Sequence, residues 1–164
     1  MDQWLETSSG NRIHKSCKIK GLNRIALAGQ VTVCEDCHIN AGDHSIKVGK
    51  RCYFEPQVCI DSTNGDVKIG TLTRIGYGTQ VDSNCNIGNR VSIGKGCKLG
   101  TGSIIRDCCV IEDQVEVPIG FLIPPFTRVS KENDKLKLKE LAASYRKINE
   151  TQLRILEVVG ASDT

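Results

Sequence analysis

Nine Cys and three His are the side chains of this 164-residue chain most able to do chemistry. Cys34-Glu-Asp-Cys37-His38 has the string of a covalent c-type haem attachment, and Cys-x-x-Cys alone is half of a zinc site. Haem attachment needs export or organelle machinery, and the opening Met-Asp-Gln-Trp-Leu-Glu does not read as a secretory leader. No second Cys pair stands at ligand spacing, so neither haem nor zinc is expected. The adjacent pair Cys108-Cys109 must place its thiols on opposite faces of a strand. One reads as an inward filler and the other as an outward corner residue.

The His residues are His14, His38 and His44. The stretch Gly42-Asp43 followed by Ile46-Lys-Val-Gly49 resembles a segment of the gamma-class carbonic anhydrases, which hold a metal with three His between subunits. The resemblance would put the second and third ligands in Ile75-Gly-Tyr77-Gly-Thr-Gln-Val-Asp82, where Tyr77 and Asp82 stand instead. The first would fall near Cys59–Asp61, which also lacks His. Tyr and Asp are a poor set for a transition metal at neutral pH. Hexapeptide acyltransferases, the other enzyme class weighed, carry a general-base His in a coil, and none stands in the regular coils here. The expectation is therefore no catalytic residue, no metal and no cofactor.

What positions these residues is a repeat. From Ile69 to Val129 every sixth residue is Ile, Leu or Val, eleven in succession: Ile69, Ile75, Val81, Ile87, Ile93, Leu99, Ile105, Ile111, Val117, Ile123 and Val129. These three residue types make up about a quarter of the chain, so chance gives such a run about once in four million. A period of six is neither helical nor simple alternation and marks a repeat architecture. Each aliphatic points into a three-sided prism. The residue two before it also points inward and is mostly small: Thr73, Thr79, Cys85, Val91, Cys97, Ser103, Cys109 and Val115. The residue after it is often Gly (Gly70, Gly76, Gly88, Gly94, Gly100), read as relief of strain on entering a corner. Upstream, Val48, Phe54 and Ile60 keep the step beside Cys52 and Val58, and Leu27, Val33 and Ile39 keep it beside Ile25, Val31 and Cys37. The stretches 40–45 and 61–66 break it and read as loops.

The fold expected is an all-β, left-handed parallel β-helix of six to seven coils over about residues 13–130, within a segment 1–130 that includes a short lead-in. Segment 131–164 is expected to supply one amphipathic helix at about 134–158, because Leu138, Leu141, Tyr145, Ile148, Ile155 and Val159 follow helical spacing. Together they form one domain. Net charge +3 and 4% aromatic residues, with no basic run, argue against nucleic acid. No apolar run approaches a membrane span. The Cys residues fit a reducing cytoplasm as small apolar fillers with free thiols.

With catalysis set aside, the surface remains. Outward residues stack every eighteen positions. One column reads Lys68, Asn86, Ile104, Leu122; a second reads Arg74, Ser92, Val110, Arg128; a corner column reads Leu72, Arg90, Cys108, Phe126. Apolar residues gather in the later coils, so Ile104, Leu122 and Phe126 are expected to receive the C-terminal helix or a partner protein.

Several segments resemble the dynactin subunit 5 family, the smaller β-helix family of the dynactin pointed end. They are Trp4 to Asn11, Asn23 to Val33, Gly42-Asp43, Val48 to Cys52, Arg106-Asp-Cys-Cys-Val-Ile-Glu-Asp113, Pro118 and Ile123-Pro-Pro-Phe-Thr127. Together they span about residues 3–130. The resemblance implies a β-helix with a C-terminal helix, without the carbonic-anhydrase His residues and without an enzymatic role. It further implies a place in the cytoplasm on the cytoskeleton. There the family pairs with dynactin subunit 6, sits beside dynactin subunit 4 and an actin-related protein, and helps bring dynein cargo adaptors and endosomes to dynein. A β-helix enzyme, typically a homotrimer, is the alternative.

Overall fold

The computed structural model describes residues 3–162 and is a three-sided parallel β-solenoid with a helix on its outside. The second wall stacks Lys18–Lys20, His38–Asn40, Cys59–Asp61, Gln80–Val81, Lys98–Leu99 and Glu116–Val117. The third stacks Ile25–Leu27, Ile46–Val48, Val67–Ile69, Asn86–Ile87, Ile104–Ile105 and Leu122–Ile123. The first wall begins each coil and carries one more parallel strand than the others, from Arg12–His14 to Thr127–Glu132. Six complete coils result. The hexad repeat forms this prism because its inward aliphatics have nowhere else to hide. All eleven from Ile69 to Val129 are at most 2% exposed.

The later coils step by eighteen residues, as from Arg74 to Ser92 to Val110. Among the earlier ones the step is twenty from Arg12 to Thr32 and from Lys18 to His38, and twenty-one from Tyr53 to Arg74 and from His38 to Cys59. The extra residues sit at the corner between the second and third walls, in 41–45 and 62–66, as the sequence suggests. These corners knit to one another. Ser62 Oγ donates to the His44 carbonyl at 2.8 Å, and Asp66 Oδ1 accepts the Ser45 amide at 2.8 Å.

The glycines serve a different purpose from the one the sequence suggests. Strain falls not on them but on the residue three before each aliphatic: Leu72, Asn84, Arg90, Cys108, Gln114 and Phe126 all have φ between 53° and 65°. Gly after the aliphatic is needed because the next coil passes too close for a Cβ. One at Gly100 would stand 2.8 Å from the Ile119 amide nitrogen, and one at Gly49 would stand 2.6 Å from that of Thr71. Side chains at the same corners bridge coils: Asn89 Oδ1 accepts the Thr71 amide, and Asp107 Oδ1 accepts the Asn89 amide, both at 2.8 Å.

The chain after the prism departs from expectation. Residues 134–144 are not helical. Lys135–Glu140 is a strand that pairs antiparallel with Thr127–Glu132. Asn133 and Asp134, both at positive φ (52° and 61°), make the two-residue turn between them. Lys-Leu-Lys-Leu-Lys-Glu alternates with period two, and the last coil offers an unpaired strand edge that this hairpin satisfies. Trp4–Glu6 closes the other edge of the same wall, antiparallel to Arg12–His14. The helix begins only at Tyr145 and runs Tyr145–Ser162. Val159 lies where side chains are outside the described residues. Phe121 and Leu136, both partly buried, pack against the core.

Candidate interaction surface

The inward Cys and Thr residues share one local geometry. Each sends its side chain toward a carbonyl of the next coil: Cys52 to Gly70 at 2.9 Å, Cys97 to Glu112 at 3.1 Å, Cys109 to Pro124 at 3.0 Å and Thr79 to Gly94 at 2.7 Å. This explains why Cys and Thr alternate in one column. A small donor satisfies a carbonyl that faces the core. Burial pushes the thiol of Cys52 up to about 12 and that of Cys109 up to about 11. These are packing groups, far from the thiolate state that nucleophilic work requires.

The Cys34-x-x-Cys37 pair is split by the wall. Cys37 belongs to the prism core, whereas Cys34 belongs to an outer cluster with Trp4, Tyr53, Leu72 and Leu153. Burial, partly offset by a hydrogen bond with Tyr53, leaves the Cys34 thiol at about 11. The three His are dispersed. His14 lies edge-on to Trp4 on the first wall, with Nδ1 2.7 Å from Ser16 Oγ. His38 is exposed on the second wall, and His44 sits on a wide corner 3.2 Å from the Thr63 carbonyl. Tyr77 precedes the strand Gln80–Val81 and Asp82 follows it, and Tyr77 is exposed. Among the described residues no three His, Cys, Asp or Glu gather closely enough to hold a metal.

The outside of the first wall receives the helix. Leu153, fully buried, seats on Tyr53, Leu72, Cys34 and Trp4, with Leu156 packed alongside. Tyr145 is held at the start by Ser92, and burial raises its phenol above the usual range. Arg90 pairs with Glu150, and Arg51 pairs with Glu157 at 3.4 Å. Below, Arg74 pairs with Glu55 at 2.9 Å, and Arg12 lies over the Trp4 ring at 4.4 Å. The corner residues Leu72 and Arg90 that the sequence groups with Phe126 therefore do meet the helix.

Ile104 and Leu122 lie elsewhere. They are register neighbours on the third wall, after Asn86, with their side chains outward. Ile104 is half-buried and Leu122 is 47% exposed. The structure brings these two together. Phe126 stands on the following corner, half-buried, and its carbonyl accepts the Leu141 amide at 2.7 Å where the hairpin leads into the helix. The seat of the helix is thus the first wall, because that is where the hairpin delivers the chain. The apolar pair on the third wall is left facing outward. Ile119, at the corner after Pro118 and 79% exposed, extends the apolar surface of the last coil. Sequence reasoning missed it because it falls outside all three outward columns. Its only signal was a large aliphatic at a corner where polar residues and Gly predominate.

No helix among the described residues is long and apolar enough to cross a membrane. No curated protein sequence matches the chain. Among solved structures, it is similar to a perosamine N-acetyltransferase from Caulobacter crescentus, a mutant in complex with CoA and GDP-perosamine. The TM-score is 0.65 at 16% identity, over 77% of this chain and 56% of that one. A second structure from that organism, with the same two molecules, gives a TM-score of 0.60 at 17% identity, over 79% and 56%. The chain thus spans little more than half the length of these proteins, and at such identity the likeness is one of fold alone. The model of the dynactin subunit 5 family matches residues 1–144, nearly the whole chain from the opening strand to the hairpin, and the chain belongs to that family.

Proposed function

We propose that this chain is a non-catalytic structural and adaptor subunit of the dynactin pointed end, working in the cytoplasm on the cytoskeleton. In this reading it pairs with dynactin subunit 6, a second β-helix, and sits beside dynactin subunit 4 and an actin-related protein. From there it helps link dynein and dynactin to cargo adaptors and endosomes. The observation that carries the proposal is the family match over residues 1–144. The surface supports it. Ile104 and Leu122 present neighbouring apolar side chains on a wall that the helix does not use as its seat. Ile119 extends the same coil. We assign this patch to a protein partner, with Phe126 at its margin beside the hairpin.

The test is the native mass of the tagged chain drawn gently from its own cells, with the co-purifying proteins identified. One copy inside a very large assembly containing actin-related proteins and a second β-helix chain is the expected result. A free homotrimer carrying stoichiometric metal or acylating an amine with CoA as carrier would overturn it in favour of a β-helix enzyme. Leu122→Asp with Ile104→Asp should lower recovery of the unlike β-helix partner about tenfold or more without unfolding the prism.

A further inference from the structure

Three inward columns of small side chains run down the prism. One of them reads Cys17, Cys37, Val58, Thr79, Cys97, Val115. It is set by the register Lys18 over His38, His38 over Cys59 and Cys59 over Gln80. Cys17 and Cys37 are therefore thiols on successive coils, one directly above the other. Only this pair of the nine Cys is placed so. Successive coils are separated by about 4.8 Å at the backbone, inside the roughly 4.4–6.8 Å that a disulfide spans between Cα atoms. Side chains so related do meet at their tips. In the neighbouring column Cys85 Sγ lies 3.3 Å from Ser103 Oγ, one coil apart.

The two thiols differ in access. Cys37 is fully buried, while Cys17 is half-buried at the open N-terminal end. Its strand, Lys18–Lys20, is an edge strand of the second wall among the described residues. An edge strand can shift to bring the two Cβ atoms from the coil spacing of about 4.8 Å to the roughly 3.5–4.5 Å that a disulfide needs. Beside it the end of the core opens into a cavity of about 190 Å³ lined by Ile13, Ile19, Leu22, Ile25, Leu27 and Ile39. Cys17 Sγ donates to the Cys34 carbonyl at 3.0 Å, which aims its sulfur down the column toward the next coil. The Cys34 side chain itself lies outside the wall, in the cluster under the helix. A hydrogen bond with Cys37 also holds the Cys17 thiol below its usual range, which favours it as the first to react.

We propose that Cys17 and Cys37 form an oxidation site, closing to a disulfide when a peroxide reaches the N-terminal end of the prism. The Cys17 thiolate attacks one peroxide oxygen, breaking the O–O bond. This gives a sulfenic acid and, with one proton, water. The Cys37 sulfur then attacks the Cys17 sulfur, the S–O bond breaks, and hydroxide leaves with the proton from Cys37 as a second water. Two thiols are oxidised by two electrons in total, and one peroxide is reduced to two waters. The bond would staple the edge strand Lys18–Lys20 to His38–Asn40 and stiffen the end of the solenoid.

The test is stepwise hydrogen peroxide treatment of the full chain, alkylation of remaining thiols and mapping of non-reduced peptides by mass. The expected product is a monomer with a Cys17–Cys37 cross-link, two hydrogens lighter and restored by dithiothreitol. The other seven thiols should stay alkylatable after denaturation. Amide exchange at Ile19 and Lys20 should slow about tenfold in that product. Cys17→Ser should abolish the cross-link. Cys37→Val, which copies the Val58 of the next coil, should fold and leave Cys17 as a sulfenic acid captured by a 1,3-diketone. A cross-link from Cys17 to Cys34, or Cys17 sulfenic acid persisting without a cross-link in the unaltered chain, would overturn the proposal.

Discussion

The first and third walls of the prism are built from the same hexads, yet their outer sides have opposite fates. Inside, both are lined from the second coil onward by buried aliphatics. Outside, the first wall carries Tyr53, Arg74 and Ser92 under a helix, with strands closing both of its edges. The third wall changes from Lys47 and Lys68 to Ile104 and Leu122 along its length. Its edge strands, Ile25–Leu27 and Leu122–Ile123, have no further strand beside them among the described residues. The inner positions thus carry the fold, and the outer ones differ in what covers them. Apolar residues left outward on an unroofed wall, next to a free strand edge, are what a partner can use.

The comparison can be broken most forcefully from within. Ile93→Ala empties a fully buried site that all walls share. It should cost about 2–5 kcal/mol and lower the denaturation midpoint of the whole solenoid, as read by circular dichroism in urea. Loss confined to one wall would show that the walls are less coupled than the common core implies. Leu153→Ala touches only the first wall. It should weaken helix docking by about 2–4 kcal/mol. Hydrogen exchange over 147–158 should quicken while the hexad strands stay protected, and Cys34 should become reactive to a thiol reagent while Cys52 stays silent.

Leu122→Asp is the counterpart on the third wall. Stability should change by no more than about 0.5 kcal/mol, as expected of an exposed site, whereas partner recovery falls. A large loss of stability would mean that the residue supports the prism and is not a contact.

Alkali should act on the core common to both walls. Burial raises the Cys52 thiol from 9.0 to about 12, so the unfolded chain loses its proton first as pH rises. That contribution is complete below pH 9 and is lost between pH 9 and 12. About 1.4 kcal/mol should be gone at pH 10, measurable as a lower urea midpoint than at pH 7. Cys52→Val should remove this share of the loss and leave the shares of Cys34 and Cys109, which burial also raises to about 11. The smallest effect belongs to Glu150→Ala. It removes the partner of Arg90 at a partly exposed site and should cost less than about 1 kcal/mol, diminishing with salt.

The repeat was legible because its inward residues report their own environment. A run such as Ile87, Ile93, Leu99 has one arrangement that buries every member. The inward place of Cys37 followed from the same spacing. The C-terminal segment was harder. Leu138, Leu141, Tyr145 and Ile148 fit helical spacing, while Leu136 and Leu138 between lysines fit a strand. Both patterns are present, and the decision came from an edge that no local window contains. Ile119 was hidden for another reason. It stands on a corner, outside the outward columns that the hexad spacing defines.

By itself the sequence determined the prism, its inward columns, the widened corners near residues 40–45 and 61–66, and the family resemblance. Each depends on residues within a coil or between neighbouring coils, where chain connectivity nearly fixes the geometry. Only the tertiary structure decided that residues 135–140 close the first wall as a strand. Only it showed that Leu153 seats the helix there and that Ile104 and Leu122 stay uncovered while Phe126 turns toward the hairpin. Those outcomes rest on contacts between distant parts of the chain. There, an unpaired strand edge and an apolar pocket under Leu153 compete for the same segment, and their relative gains are invisible until the walls exist.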